Sequence, residues 1–525
     1  MKRTLPALIP ALLAVWLFSY TLDLPPFLDD GNLHTMIHDF QNVGTHGVRF
    51  WNGSASYQYY RPLGFTVMEL AYQADGRWDV FGLHAFNLLI YAATAAGVGA
   101  IGQRLTGSPW GGVLAGCAFV LYPYTYRSVT WIAAIFHLMV AFGLVMTLVF
   151  GLMWLDGRRG GVALVLAWGA AFVALFSQEV GIVVAPLMVL AAWAVRGWGV
   201  WRNGRLWTLV VPLALLTGGF LVRYGMVPRP AAGPLTLYLD QAPSSLAVFG
   251  QGFAFPFFAL IRRAGDVVGT LAEPRTLPML ALLAGVVAGG VWVAGRAHWR
   301  AAVMGVLAFV GLAAPALILT DTEYVKGSPH VMTTAAVGMG VFWGVVLWAG
   351  LRHPRRWVRA GVVGVMVVGV GVSLLFNAAR RTEAIAQAEY HRALYALVSP
   401  DPEGVVMVNT PAFLGAYYDR RWFLTGSEAT MFMLGYAGYH LTFRALDGRD
   451  YPPFTYYLYT PSFQRPPTYE FAPFWTDDNT DPAYVSGQVA QARRVVFTEI
   501  DGDRFTPILM DGADWPAFVA ERGWP

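Results

Sequence analysis

Two adjacent carboxylates, Asp29 and Asp30, stand directly after the first apolar segment of the chain, in the stretch FLDDGNLHTMIHDF (Phe27 to Phe40). A carboxylate held at a membrane edge can take the proton of an acceptor hydroxyl or hold a divalent cation such as Mg or Mn. His34 and His38 follow Asp30 at i+4 and i+8. With a carboxylate they could complete a metal site, but solvated positions on the polar flank of a helix are the expectation for both. Adjacent residues at a helix start point about 100° apart, so the two aspartates have different tasks. Asp30 is the better-placed helix cap, which leaves Asp29 the preferred base.

Cationic side chains complete the set. Arg61, in YYRPLGF, precedes a proline and is biased toward extended backbone. At a bilayer surface its guanidinium suits a lipid phosphate or diphosphate through paired hydrogen bonds. Arg127, in YTYRSVT, and Lys326, two residues after Tyr324 in DTEYVKGS, raise the same possibility, and Glu179 in SQE adds a third carboxylate. An acid for the acceptor, cations for a departing lipid phosphate and a membrane-edge helix are what chemistry on a lipid-linked phosphorylated substrate requires. The candidate metal ligands are Asp29, Asp30 and Glu179.

The elements that must hold these residues follow from composition. Of 525 residues, 56% are hydrophobic and 13% charged, and the mean hydropathy is +0.48. Apolar runs begin near Leu5, Phe81, Trp110, Trp131, Gly161, Val180, Leu206, Leu277, Ala301, Val331 and Ala360. They predict an α-helical polytopic membrane protein with about eleven spans. Leu246–Ile261, short and interrupted by Gly250, Gly252 and Pro256, is expected to be re-entrant or interfacial. Lys and Arg concentrate in the short loops of one side, which places the N-terminus in the cytoplasm. Asp29, Asp30, Arg61, Arg127, Glu179 and Lys326 then all lie outside, in loops of which 23–80 and 223–275 are long.

Residues 1–378 carry 24 basic and 14 acidic side chains, and residues 379–525 carry 12 and 18. This divides the chain into a membrane domain and an acidic extracytoplasmic domain, which opens with a helix from Arg380. The runs EGVVMVNTP and RRVVFTEID predict strands, so the tail reads as a small α/β domain. After Asp30, Leu33, Met36, Ile37 and Phe40 recur at helical spacing, predicting an amphipathic helix on the outer bilayer surface. The predicted spans contain no Asp, Glu, Lys or Arg, and His137 is the one ionisable side chain well inside a span. That argues against an ion-coupled transporter. A lone cysteine, Cys117, excludes an intrachain disulfide, and 34 Arg against 2 Lys suggests a GC-rich bacterial genome. No nucleic-acid partner is expected.

FLDDGNL, YYRPL, GLHAFNLLIY (with His84), LYPYTYRSVTWIAAIFHL, FSQEVGIVVAPL and EYVKGSPHVMTTAAVGMG, in that order, resemble motifs of the GT-C glycosyltransferases. The likeness covers roughly residues 1–350 and is nearest to the O-mannosyltransferase-like branch whose animal members carry TPR repeats. It implies a polyprenyl-phosphate sugar donor, a loop-one acid as base and a site on the outer face of the bacterial cytoplasmic membrane. Asp29 or Asp30 would be base or metal ligand, Arg61 would face the donor phosphate, and Glu179 would stand where the family's third-loop glutamate stands. The chain departs from the pattern at Gln178, where the family has lysine, at Val325-Lys326 and at Tyr91. The tail does not resemble TPR helices. A hexose or mannose transferred to a protein or glycan acceptor is the function implied. A non-catalytic scaffold with a partner-binding tail, or a carrier of lipid-linked saccharides, are the alternatives.

Overall fold

The computed structural model describes residues 5–27, 30–44, 47–52, 60–158, 160–227, 237–257, 276–408, 439–452, 454–461, 469–473, 482–501 and 504–523. Within them, eight helices are long and apolar enough to cross a membrane, and two shorter apolar helices join them, Leu8–Asp23 and Pro109–Val120. The chain is thus a polytopic helical membrane protein with a small sheet domain at its C-terminal end. Thr276–Leu319 breaks at Gly295, whose φ of 61° suits a residue without a Cβ, and the chain turns back there.

Small residues set the packing of the bundle. Met332–Leu351 is buried along nearly its whole length. A Cβ at Gly340 would stand 3.0 Å from the Ala115 carbonyl, so glycine is what lets these two helices approach. Val80–Thr106 is capped by the Asp79 carboxylate, which accepts from Gly82 N at 2.9 Å, and it ends at Gly107 with φ 69°. The doubtful run holds a short buried helix, Ala242–Phe253, too short to span.

Loop one folds into a core of its own. Leu33 and Ile37 of the helix Asp30–Asn42 pack with Phe50, Phe65, Met68, Trp78 and Ile132. The periodicity is as expected, but the position is not. This helix lies beneath Tyr439–Asp447 of the tail, so it does not rest on an open bilayer surface. Ala445 enters the loop-one core, and Trp78 N donates to Ala445 O at 3.1 Å. At Gly31 a Cβ would meet Thr442 N at 2.7 Å.

The tail sheet has the order β3-β2-β1-β4-β5. Its strands are β1 (Val405–Val408), β2 (Thr455–Pro461), β3 (Tyr469–Pro473), β4 (Arg494–Asp501) and β5 (Arg504–Asp511). The two inner pairings are parallel and the two outer ones antiparallel. β1 and β4 are the two strands expected from the sequence. The helix expected to open the tail at Arg380 has no separate start, because Arg356–Val398 is one helix of 43 residues. Tyr390, Leu394 and Val398 at its far end pack on Val405 and Met407 of β1.

Candidate active site

Three of the candidate residues, Arg61, Glu179 and Arg127, come together where loop one meets the short helices at the ends of the spans. Arg61 sits at the N-cap of Pro62–Leu70 with φ −130°, the proline at the first helical position. Its guanidinium forks onto Glu179, with Nη2–Oε2 at 2.8 Å, Nε–Oε2 at 3.0 Å and Nε–Oε1 at 3.3 Å. Glu179 opens the single turn between Gly160–Ser177 and Val184–Arg196. Two residues 118 apart in sequence thus form a paired, charge-assisted contact that is largely buried.

Next to this pair lies a group of imidazoles. Gln178 Nε2 is 3.4 Å from His137 Nε2, and the His137 ring meets His330 edge-on at a centroid separation of 4.8 Å. His330 in turn packs edge-on against Trp131 at 4.9 Å, and the Arg127 guanidinium lies 5.6 Å from the Trp131 ring. Burial holds the His330 imidazolium form well below its ordinary range, and His137, Arg127 and Arg61 add to the depression. Both arginines therefore act on one neutral imidazole. Ser128 fixes this arrangement by hydrogen bonding to the Thr333 hydroxyl and, at 3.4 Å, to His330 O.

Asp30 is fully buried. Oδ2 accepts from Phe27 N at 3.0 Å, and Oδ1 accepts from Ala133 N at 2.9 Å. It ties the start of the loop-one helix back to Phe27 and across to the turn after Trp131, which gives it a structural task. Asp29 lies outside the described residues, as does the side chain of Lys326. Tyr324 is half exposed on the adjoining turn, whose start is capped by Asp321 Oδ1 accepting from Tyr324 N at 2.6 Å. His84 is buried in the second turn of Val80–Thr106. Tyr91 shares a hydrogen bond of 2.8 Å with the Thr125 hydroxyl.

The solvated reading of His34 fails. Its ring is buried against Trp78 and Tyr72, and Nε2–H donates to Gly76 O at 2.8 Å. Burial lowers its pKa to about 4. His38 bonds the Tyr72 hydroxyl and Asn42, and burial lowers it as well. The helix flank is polar in sequence, but the segment Tyr72–Trp78 and the tail helix cover it.

The His34 shift has a consequence for stability. The unfolded histidine, near 6.5, takes up a proton before the folded one does. Its contribution is therefore complete above pH 6.5 and is lost as pH falls toward 4, by up to about 3 kcal/mol. Wild-type melting temperature should fall between pH 7.5 and pH 5, and His34→Gln should remove its share of that fall, since other buried histidines contribute in the same direction. Equal pH slopes for the two proteins would contradict this account.

Among the described residues, no group of three or more His, Cys, Asp or Glu is placed to hold a metal ion. The oxygens of Asp30 are taken by backbone N–H groups and those of Glu179 by Arg61. The third candidate ligand, Asp29, lies outside the described residues. What the arrangement can do is receive an anion, through two guanidinium groups and neutral imidazoles in a site shielded from water. His330 was not singled out by sequence reasoning. The one signal was a histidine at the mouth of a span, next to Lys326.

No protein-family model matches the sequence, and no curated protein matches it significantly. Among solved structures, ArnT from Cupriavidus metallidurans bound to undecaprenyl phosphate is similar at 14% identity and a TM-score of 0.43, covering 96% of this chain and 97% of that one. The Archaeoglobus fulgidus oligosaccharyltransferase in complex with Zn and sulfate is similar at 13% identity and a TM-score of 0.40, covering 85% and 62%. These similarities are too loose to assign a family.

Proposed function

We propose that this chain is a membrane glycosyltransferase of the GT-C type, moving a sugar from a polyprenyl-phosphate carrier to an acceptor at the outer face of the membrane. The observation that supports it most is the buried group of Arg61, Arg127, His137 and His330 around Glu179, at the membrane edge of loop one. In this reading the lipid phosphate sits against the two arginines. The bond between the anomeric carbon and the phosphate oxygen breaks, and its electron pair leaves with the phosphate. A bond from the acceptor oxygen forms on the opposite face of that carbon, inverting it, and the acceptor proton passes to Asp29. The guanidinium groups balance the charge that develops on the departing phosphate. Neutral His330 donates a hydrogen bond without adding a charge to the site. Lys326 and Tyr324 stand on the turn beside the phosphate, and the acceptor, a protein or a glycan, enters from the tail side.

The test is a reconstitution. The purified full-length chain in nanodiscs is given undecaprenyl phosphate carrying a radiolabelled hexose, together with acceptors from a bacterial envelope extract. Label moving to the acceptor, with release of undecaprenyl phosphate, is the expected result. Absence of both sugar transfer and undecaprenyl phosphate binding would overturn the proposal.

A further inference from the structure

At the end of the bundle opposite the candidate site, the helix Arg356–Val398 stands away from its neighbours and leaves an apolar groove of about 460 Å³. Its walls include Gly285 and Gly289 of the first half of Thr276–Leu319, Trp343 and Leu347 of Met332–Leu351, and Gly361 and Val365 of the long helix. Gly285, Gly289 and Gly361 are exposed, so the groove opens sideways toward the bilayer. A Cβ added at any of the three would meet nothing within 4 Å. Among the described residues, no side chain fills this room.

The mouth of the groove is aromatic and basic. Trp292 and Trp357, both on its rim, stack at a centroid separation of 5.9 Å with an interplanar angle of 17°. The Arg355 guanidinium carbon lies 5.8 Å from the first ring and 5.9 Å from the second. His353 packs on Trp292 at 5.5 Å. No acidic residue occurs between Glu323 and Glu383. Among the described residues, Arg352, Arg355, Arg356 and Arg359 form no ion pair with any carboxylate.

We propose that this groove binds one anionic phospholipid of the leaflet opposite the active site, with an acyl chain between the helices and its phosphate on Arg355. Depth and charge select this occupant. On the long helix the lining runs from Trp357 to Val365, eight steps or about 12 Å. That is close to one leaflet of a hydrocarbon core about 30 Å thick. The uncompensated arginines select a negative headgroup over a zwitterionic one. Tryptophans at the rim sit at headgroup depth, where their rings have both an apolar and a polar neighbour. The bound lipid fills the gap between the long helix and the bundle. The proposal is independent of the reaction assigned to the other end of the molecule.

The test is native mass spectrometry of the full-length, delipidated protein titrated with palmitoyl-oleoyl phosphatidylglycerol, with the matching phosphatidylcholine and with undecaprenyl phosphate. One phosphatidylglycerol should bind at least tenfold more tightly than phosphatidylcholine. The variant Arg355→Ala should lose that preference. The double variant Gly289→Leu, Gly361→Leu, whose added side chains enter open space, should lose the tight site itself. Equal binding of the two phospholipids, an unchanged preference in the arginine variant, or competition for this site by undecaprenyl phosphate would each overturn the proposal. If the glycine variant does not fold, as judged by size-exclusion profile and circular dichroism, the arginine variant and the lipid comparison still decide.

Discussion

Arg61→Ala is expected to lower the turnover of sugar transfer by about 10²- to 10³-fold, the usual cost of removing a group that stabilises charge developing in the transition state. Its guanidinium is the most constrained cation of the site, forked on Glu179 and set at a helix start by the following proline. A cation so held is ready for a phosphate without reorganisation. Arg61→Lys should restore little, because an ammonium cannot present two parallel N–H donors. Glu179→Gln separates two roles. If Glu179 only orients Arg61, this variant keeps a neutral acceptor and should lose about tenfold or less. Each variant needs a melting curve beside its kinetics, since removing one partner of a buried pair also costs stability. A folded Arg61→Ala protein with wild-type turnover would remove Arg61 from the proposed machinery.

The second large effect separates the two aspartates. Asp29→Asn should lower turnover by about 10²- to 10⁴-fold, the range for losing a general base, with little change in melting temperature. Asp30→Ala should do the opposite first. It strips the acceptors from the N–H groups of Phe27 and Ala133, and each buried donor left unsatisfied costs about 1–3 kcal/mol. Its melting temperature should drop clearly. Asp30→Asn keeps one acceptor oxygen and should fall between. A folded, fully active Asp29→Asn protein beside a folded, inactive Asp30→Asn protein would reverse the assignment of roles.

How much of this was legible in the sequence depends on the range of the interaction concerned. Composition and run length were enough for the helical membrane class, because burying a backbone in lipid leaves few alternatives. The strands β1 and β4 were visible as short apolar runs ending in turn residues. The fork of Arg61 on Glu179 was not visible, since nothing local in SQE marks which of several outer cations lies opposite. His34 misled for the same reason. Its helix has a polar flank in sequence, yet Tyr72, Gly76 and Trp78 close over that flank. His330 was hidden because an apolar span begins beside it, and only the approach of His137, Trp131 and the two arginines gives it meaning.

The continuous helix Arg356–Val398 has a mechanical consequence. Its 43 residues make a rod about 65 Å long, roughly half of it beyond the hydrocarbon core. The sheet is built onto its outer end, where Arg494 Nη2 donates to Leu397 O at 3.0 Å, and near the same end Arg392 donates to the carbonyl of Asp23 at the end of the first span. A membrane helix adjusts its tilt to the thickness of the bilayer around it. In this molecule any such tilt swings the tail as a lever swings its load. The tail helix Tyr439–Asp447 is seated on the loop-one helix at Gly31, beside Asp30. A change of tilt in this rod would therefore be felt in the sheet and at the end of the first span together.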